Sequence, residues 1–179
     1  KTLWSKTDMS NLRLLNETTI TSNVSSVNIT DVFSADFDIY KIVFNGIITT
    51  DTTPLHCKLI NSSGSVISSS EYDYAFLLMK GEASFTESNQ TNGTNWNNFF
   101  GNPDEAPELV SGVAYIFNPF SSSSYTFAIN QVAVETRRWY KGVQVFTETT
   151  SVTGFQAFEL NSRPITSGVF RTYGLRVDT

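Results

Sequence analysis

One cysteine, Cys57, and one histidine, His56, are all that this 179-residue sequence offers of the two side chains most used for redox, metal and nucleophilic chemistry. A single cysteine excludes an intrachain disulfide and a cysteine-ligated metal cluster. A lone imidazole likewise excludes a multi-histidine metal site. Charge is sparse too: 16% of residues are charged against 40% hydrophobic, and the net charge of -5 comes with basic residues scattered along the chain. A phosphate-backbone partner needs a basic stripe, so nucleic acid is not an expected partner. No apolar run approaches the roughly 18 residues that a membrane-spanning helix needs. The opening "KTLWSKTDMS" lacks the apolar centre and small-residue cleavage site of a signal peptide. Neither membrane insertion nor export is expected. Phosphate loops, a Gly-x-Ser-x-Gly elbow and EF-hand spacing are absent as well, so no cofactor or metal is expected.

What the chain has is Ser, Thr and Asn in abundance, with aromatic residues at 13%. The hydroxyl and amide side chains bond locally to the backbone and disfavour helix interiors, while aromatic and β-branched residues fit a pleated surface. No helical stripe at 3.6-residue spacing runs longer than about two turns. Two-residue alternation recurs instead, between Gly, Pro, Asn and Ser punctuation. "FDIYKIVFNGII" sets Tyr40, Ile42 and Phe44 on one face, "PLHCKLIN" does so for Leu55, Cys57 and Leu59, and "YDYAFLLMK" for Tyr72, Tyr74, Phe76 and Leu78. About ten such strands without intervening helices predict an all-β chain, folded as one antiparallel β-sandwich or jelly-roll-like domain.

The stretch "YIFNPFSSSSYTFAIN" reads as a hairpin rather than a linker. Pro119 pushes the residue before it toward a turn, the serines can bond their own backbone, and aromatic alternation continues on both sides. The longest unpatterned stretch runs from Gly81 to Leu109 and is expected to be a long, specialised loop, 81–109. Residues 1–19 are expected to form an N-terminal arm or docking segment, with the sandwich over 20–179.

Candidate chemistry is thin. His56 is expected as a partly exposed strand residue on the side opposite Cys57, and Cys57 as a small core hydrophobe. Carboxylate pairs suited to glycoside hydrolysis exist in Glu71 with Asp73 and in Asp36 with Asp38. Asp104, Glu105 and Glu108 could supply calcium ligands. These acids are expected to be solubilising, leaving no catalytic residue. Six sequons, at Asn16, Asn23, Asn28, Asn61, Asn89 and Asn92, would carry surface glycans on a eukaryotic secretory route, but chance gives several in a Ser/Thr-rich chain and the lack of cysteine pairs speaks against secretion. The remaining signal lies in the loop, where Trp96, Phe99 and Phe100 are interleaved with Asn95 and Asn97. Flat rings beside amides recognise sugars or protein, with Trp96 the expected exposed member, or else the phenylalanines anchor the loop to the sandwich.

Four segments carry a resemblance: "SSVNITDVFSADFDIYKIVFNGIITT", "LINSSGSVISSSEYDYAF", "GVAYIFNPFSSSSYTF" and "SGVFRTYGLRV". In this order, from about Ile20 onward, the chain resembles small virion proteins and appendage modules of tailed bacteriophages, particularly marine ones. The resemblance implies a non-enzymatic β-sandwich virion protein at the particle surface. Its expected partners are other virion proteins and its own copies, with a trimer preferred. As a tail-fibre or appendage module it would bind a host-surface glycan or protein; decoration of the capsid is the alternative, and a non-viral carbohydrate-binding module a third reading.

Overall fold

The computed structural model describes residues 11–51, 53–81, 84–103, 109–134, 138–161 and 163–175. Among them are eleven strands and no helix: β1 (Leu12–Ile20), β2 (Ser26–Ile29), β3 (Ile39–Thr49), β4 (Leu55–Asn61), β5 (Tyr72–Lys80), β6 (Ser84–Gly93), β7 (Val110–Phe117), β8 (Thr126–Val134), β9 (Arg138–Phe146), β10 (Val152–Glu159) and β11 (Ile165–Leu175). They form an antiparallel β-sandwich of unequal halves. An eight-stranded sheet runs in the order β1-β11-β3-β7-β8-β9-β5-β6, and a three-stranded sheet in the order β2-β10-β4 packs on one face of it.

The alternation seen in the sequence is what fills the space between the sheets. Successive side chains of a strand point to opposite faces, so every second residue can be buried. Tyr40, Ile42 and Phe44 of β3 are buried there, as are Leu55, Cys57 and Leu59 of β4 and Tyr72 and Tyr74 of β5. The serine-rich stretch is the expected hairpin: β7 and β8 pair from Ser111 with Ala133 to Phe117 with Phe127. Asn118 takes the left-handed turn conformation at φ 54°. The turn is tied to the small sheet, because Val152 N–H donates to the Pro119 carbonyl at 2.8 Å.

Two boundaries differ from expectation. Residues 1–10 lie outside the described residues, but Leu12 to Ile20 are not a free arm; they pair along β11, so the division at residue 20 falls inside a strand. The loop expected over 81–109 contains β6, which pairs with β5 from Lys80 opposite Ser84 to Tyr72 opposite Gly93. The strand "SFTESNQTNG" is polar and exposed at nearly every position because it is the sheet's outermost strand and lies beyond the cover of the small sheet. A strand with no buried face carries no alternation to read. Residues 104–108, with Asp104, Glu105 and Glu108, lie outside the described residues.

Candidate functional site

The part of the expected loop that remains a loop runs along the free edge of β4. Cys57 and Trp96 exchange backbone hydrogen bonds of 2.9 and 3.0 Å, and Leu55 is bonded to Phe100 and Gly101 at 3.1 and 2.8 Å. This pairing aims the rings between the sheets. Trp96, Phe99 and Phe100 are all 0% exposed, which corrects the expectation that Trp96 faces solvent. Trp96 stacks on Phe99 at 5.4 Å between ring centroids, and Phe100 meets Phe44 and Phe170 edge-on at 5.2 and 5.3 Å. The indole N–H is also satisfied, donating to the Val145 carbonyl at 3.1 Å. No face of these rings is open to a ligand. Asn95 and Asn97 are half-buried, and Asn97 Nδ2 donates to Tyr74 Oη at 3.2 Å.

A polar pair sits beneath the ring cluster. Asn130 Nδ2 donates to the Phe99 carbonyl at 2.7 Å, and Gln144 Nε2 donates to Asn130 Oδ1 at 3.0 Å. Both amides are buried, and Gly142 between them leaves the space they occupy; a Cβ there would stand 2.5 Å from each. The pair gives the loop carbonyl a partner it would otherwise lack, so its first role is to fix the loop.

Several of the titratable candidates are held in structural positions. His56 was expected to be partly exposed; it is 2% exposed, against the ring of Phe158 at 5.5 Å, and its Nδ1 has no hydrogen-bond partner. Desolvation lowers its pKa to about 4, opposed by the Glu159 carboxylate and assisted by Lys58. Cys57 is buried as expected, and burial pushes its thiol pKa up, away from thiolate reactivity. Glu71 accepts from Thr147 Oγ1 at 2.9 Å, and Asp73 accepts from the Asn92 N–H at 2.7 Å. Asp36 accepts from Ser34 Oγ at 3.2 Å. The backbone carbonyl of Asp38 accepts from the Asn118 N–H at 2.7 Å.

The candidate site is instead the outer face of the eight-stranded sheet, which no described element covers. Directly paired residues of neighbouring strands share a face, so the register reads as rows. One row runs Tyr115, Ile129, Val143, Ala75; the next runs Val113, Gln131, Lys141, Leu77; the next Ser111, Ala133, Trp139, Met79. Phe127 is 48% exposed and Val143 58%, although a strand centre normally hides such residues. Shallow grooves of about 450 and 420 Å³ lie between the rows, one beside Trp139 and Lys141, the other beside Phe127 and Val143. Lys41 Nζ stands 5.9 Å from the centre of the Tyr115 ring at one side of the face.

The composition of β8 explains how large apolar residues came to face outward. Its inward positions are Thr126, Ala128, Asn130, Val132 and Val134, small or polar, because Trp96, Phe99 and Phe100 already occupy that side of the interior. Close packing leaves no room for two layers of large side chains. In the sequence, Tyr115, Phe117, Tyr125 and Phe127 are marked only as the aromatic flanks of the serine-rich turn. The signal available was that "TFAINQVAV" puts its bulk and its small residues on opposite parities, without saying which faces in.

No family model matches this chain, and no curated protein matches it. Among solved structures, a crystal structure of the infectious bursal disease virus VP2 subviral particle overlaps 93% of this chain and 41% of its own, at 10% identity and a TM-score of 0.11. The chain thus spans about two fifths of that protein's length. A likeness at this level carries no argument about fold or function.

Proposed function

We propose that this chain is a non-enzymatic virion structural protein of a tailed bacteriophage, of the tail-fibre or appendage type, that works by docking rather than by chemistry. The observation that carries the docking part is the outer sheet face, where Phe127, Ile129, Trp139 and Val143 are between 42% and 58% exposed in adjoining strands. An apolar face of this kind, interrupted by the row of Gln131 and Lys141, marks a surface that other protein covers. The virion part is supported by the sequence resemblance, and the engagement of Glu71, Asp73 and Cys57 in structural roles is consistent with it. Recognition of a host-surface glycan or protein, the role an appendage would add, falls to surfaces outside the packed ring cluster.

The test is location. An antibody raised against the purified chain is applied to gradient-purified particles encoded by the same genome and viewed by electron microscopy. Label at the tail supports the appendage role, and label over the shell would move the protein to capsid decoration. Particles that carry none of the chain by immunoblot would sink the virion reading altogether.

A further inference from the structure

We propose that the outer face of the eight-stranded sheet is closed by a second copy of this chain, related by a two-fold axis that runs along the seam between β8 and β9. The inference rests on the docking reading of this face and names its occupant.

Three features of the face argue for a copy of itself. The first is position. Its most exposed apolar residues, Phe127, Ile129, Trp139 and Val143, all belong to β8 and β9, so they sit at the middle of the contact that an axis along this seam would make. Interface energy concentrates in a desolvated centre of this kind.

The second is self-complementarity. A two-fold axis along the seam, midway between facing sheets, places β8 over β9 of the second copy, β7 over its β5 and β3 over its β6. From the register, Ile129 then meets Val143 of the second copy, Ala133 meets Trp139, and Val113 meets Leu77. The one cation in the middle, Lys141, meets the amide of Gln131 rather than another Lys141. At the flanks, the register places Lys41 of β3 over Asn89 of the second copy and Val43 over its Glu87, so Glu87 stands one row, about 7 Å, from Lys41; Arg171, beside Val43 on β11, is already paired with Glu17 at 2.6 Å. Lys41 and Glu87 of opposite copies thus stand within diagonal reach of each other, whereas an axis along β9 would stack Lys141 on itself. Facing sheets pack at about -30°, so the pairs on the seam hold their register best and the flanking charges meet more loosely.

The third is area. The overlap spans β3, β7, β8, β9, β5 and β6. At strand spacings of about 4.8 Å and four rows at about 6.8 Å, the fourth being Phe117, Phe127, Val145 and Asp73, it covers about 29 by 27 Å, or about 780 Å² per copy. That matches the about 800 Å² that each partner gives to a standard interface. This is a pair, in place of the trimer expected from the resemblance.

The experiment is sedimentation velocity on the purified chain between about 1 and 200 µM, with thermal melting as the control for folding. A monomer–dimer equilibrium is expected, weakened more than about 30-fold by Val143→Arg at the centre of the contact. Lys41→Glu and Glu87→Lys each weaken it about five- to tenfold, and the double variant restores it. Lys41 and Glu87 lie on strands separated by four others in one chain, so restoration can come only across copies. A chain that stays monomeric throughout overturns the proposal. So does a folded Val143→Arg that still pairs, a double swap that fails to restore, or a trimer. If the monomer's tryptophan fluorescence shifts with added oligosaccharide instead, and the shift is lost in Trp139→Phe, the face belongs to a glycan and the proposal is again overturned. None of these results touches particle association, which the antibody experiment reads separately.

Discussion

The two faces of β8 and β9 depart from the usual assignment of side chains. Inward, beside Val132, Val134, Tyr140 and Phe146, they present Thr126, Ala128, Asn130, Gly142 and Gln144; outward, beside Gln131 and Lys141, they present Phe127, Ile129, Trp139 and Val143. The inner face could afford small and polar residues because a loop from elsewhere in the chain delivers Trp96, Phe99 and Phe100 against it. The outer face keeps bulk that contributes nothing to this chain's interior. The difference teaches that hydrophobicity along a strand says how much apolar surface exists, while the neighbour that arrives decides which side is core.

The comparison breaks most visibly at the rings. Phe100→Ala is expected to lower unfolding free energy by about 3–5 kcal/mol in urea titration, since its ring packs on Phe44, Phe155 and Phe170 and leaves a cavity. Trp96→Ala should fall in the same range, as a buried indole and its hydrogen bond are lost together. A Trp96→Ala protein that melts like the parent would return this loop to the surface.

The small sheet offers the opposite case, an outward side chain that is nonetheless buried. His56 ionises with a pKa near 6.5 in the unfolded chain, whereas burial lowers its folded value to about 4. Below pH 6.5 the unfolded state therefore binds the proton that the folded state refuses. Stability falls as pH drops from about 6.5 toward 4, by up to about 3 kcal/mol. His56→Leu should flatten that part of the pH–stability profile; an unchanged slope would show that His56 is not its source.

A smaller effect is expected where the inner face is polar. Gly142→Ala drives a methyl against Asn130 Oδ1 and Gln144 Nε2, displacing the amides that hold the Phe99 carbonyl. A loss of about 1–3 kcal/mol is expected by the same titration. The smallest effect belongs to the outer face: Phe127→Ser should change monomer stability by less than about 1 kcal/mol, the size of a cross-strand contact. A loss as large as that of Phe100→Ala would mean that the outer face is core after all.

The strand-rich, helix-free sandwich was legible in the sequence because the inward residues of β3, β4 and β5 alternate without interruption, and a period of two has few structural interpretations. The hairpin at Pro119 was legible for the same reason, with strands continuing on either side of a short polar turn. β6 was not, since a strand exposed on both faces has no pattern. His56 was misplaced because its cover comes from Phe158, distant in sequence and brought opposite it by the pairing of β10 with β4.

The loop shows most clearly where sequence stops. Its three rings stood out in the sequence as candidate binding residues between Gly81 and Leu109, but their direction was not written in the segment itself. That direction follows from backbone bonds between Trp96 and Cys57 and between Phe100 and Leu55, residues about 40 positions apart. Sequence by itself determined the periodicity, the absence of cysteine cross-links and the supply of aromatic surface, all of which are properties of single segments. Tertiary structure alone decided that Trp96 goes in and Val143 stays out, because burial is a contest between segments for one interior, and only the assembled sheets show which of them fills it.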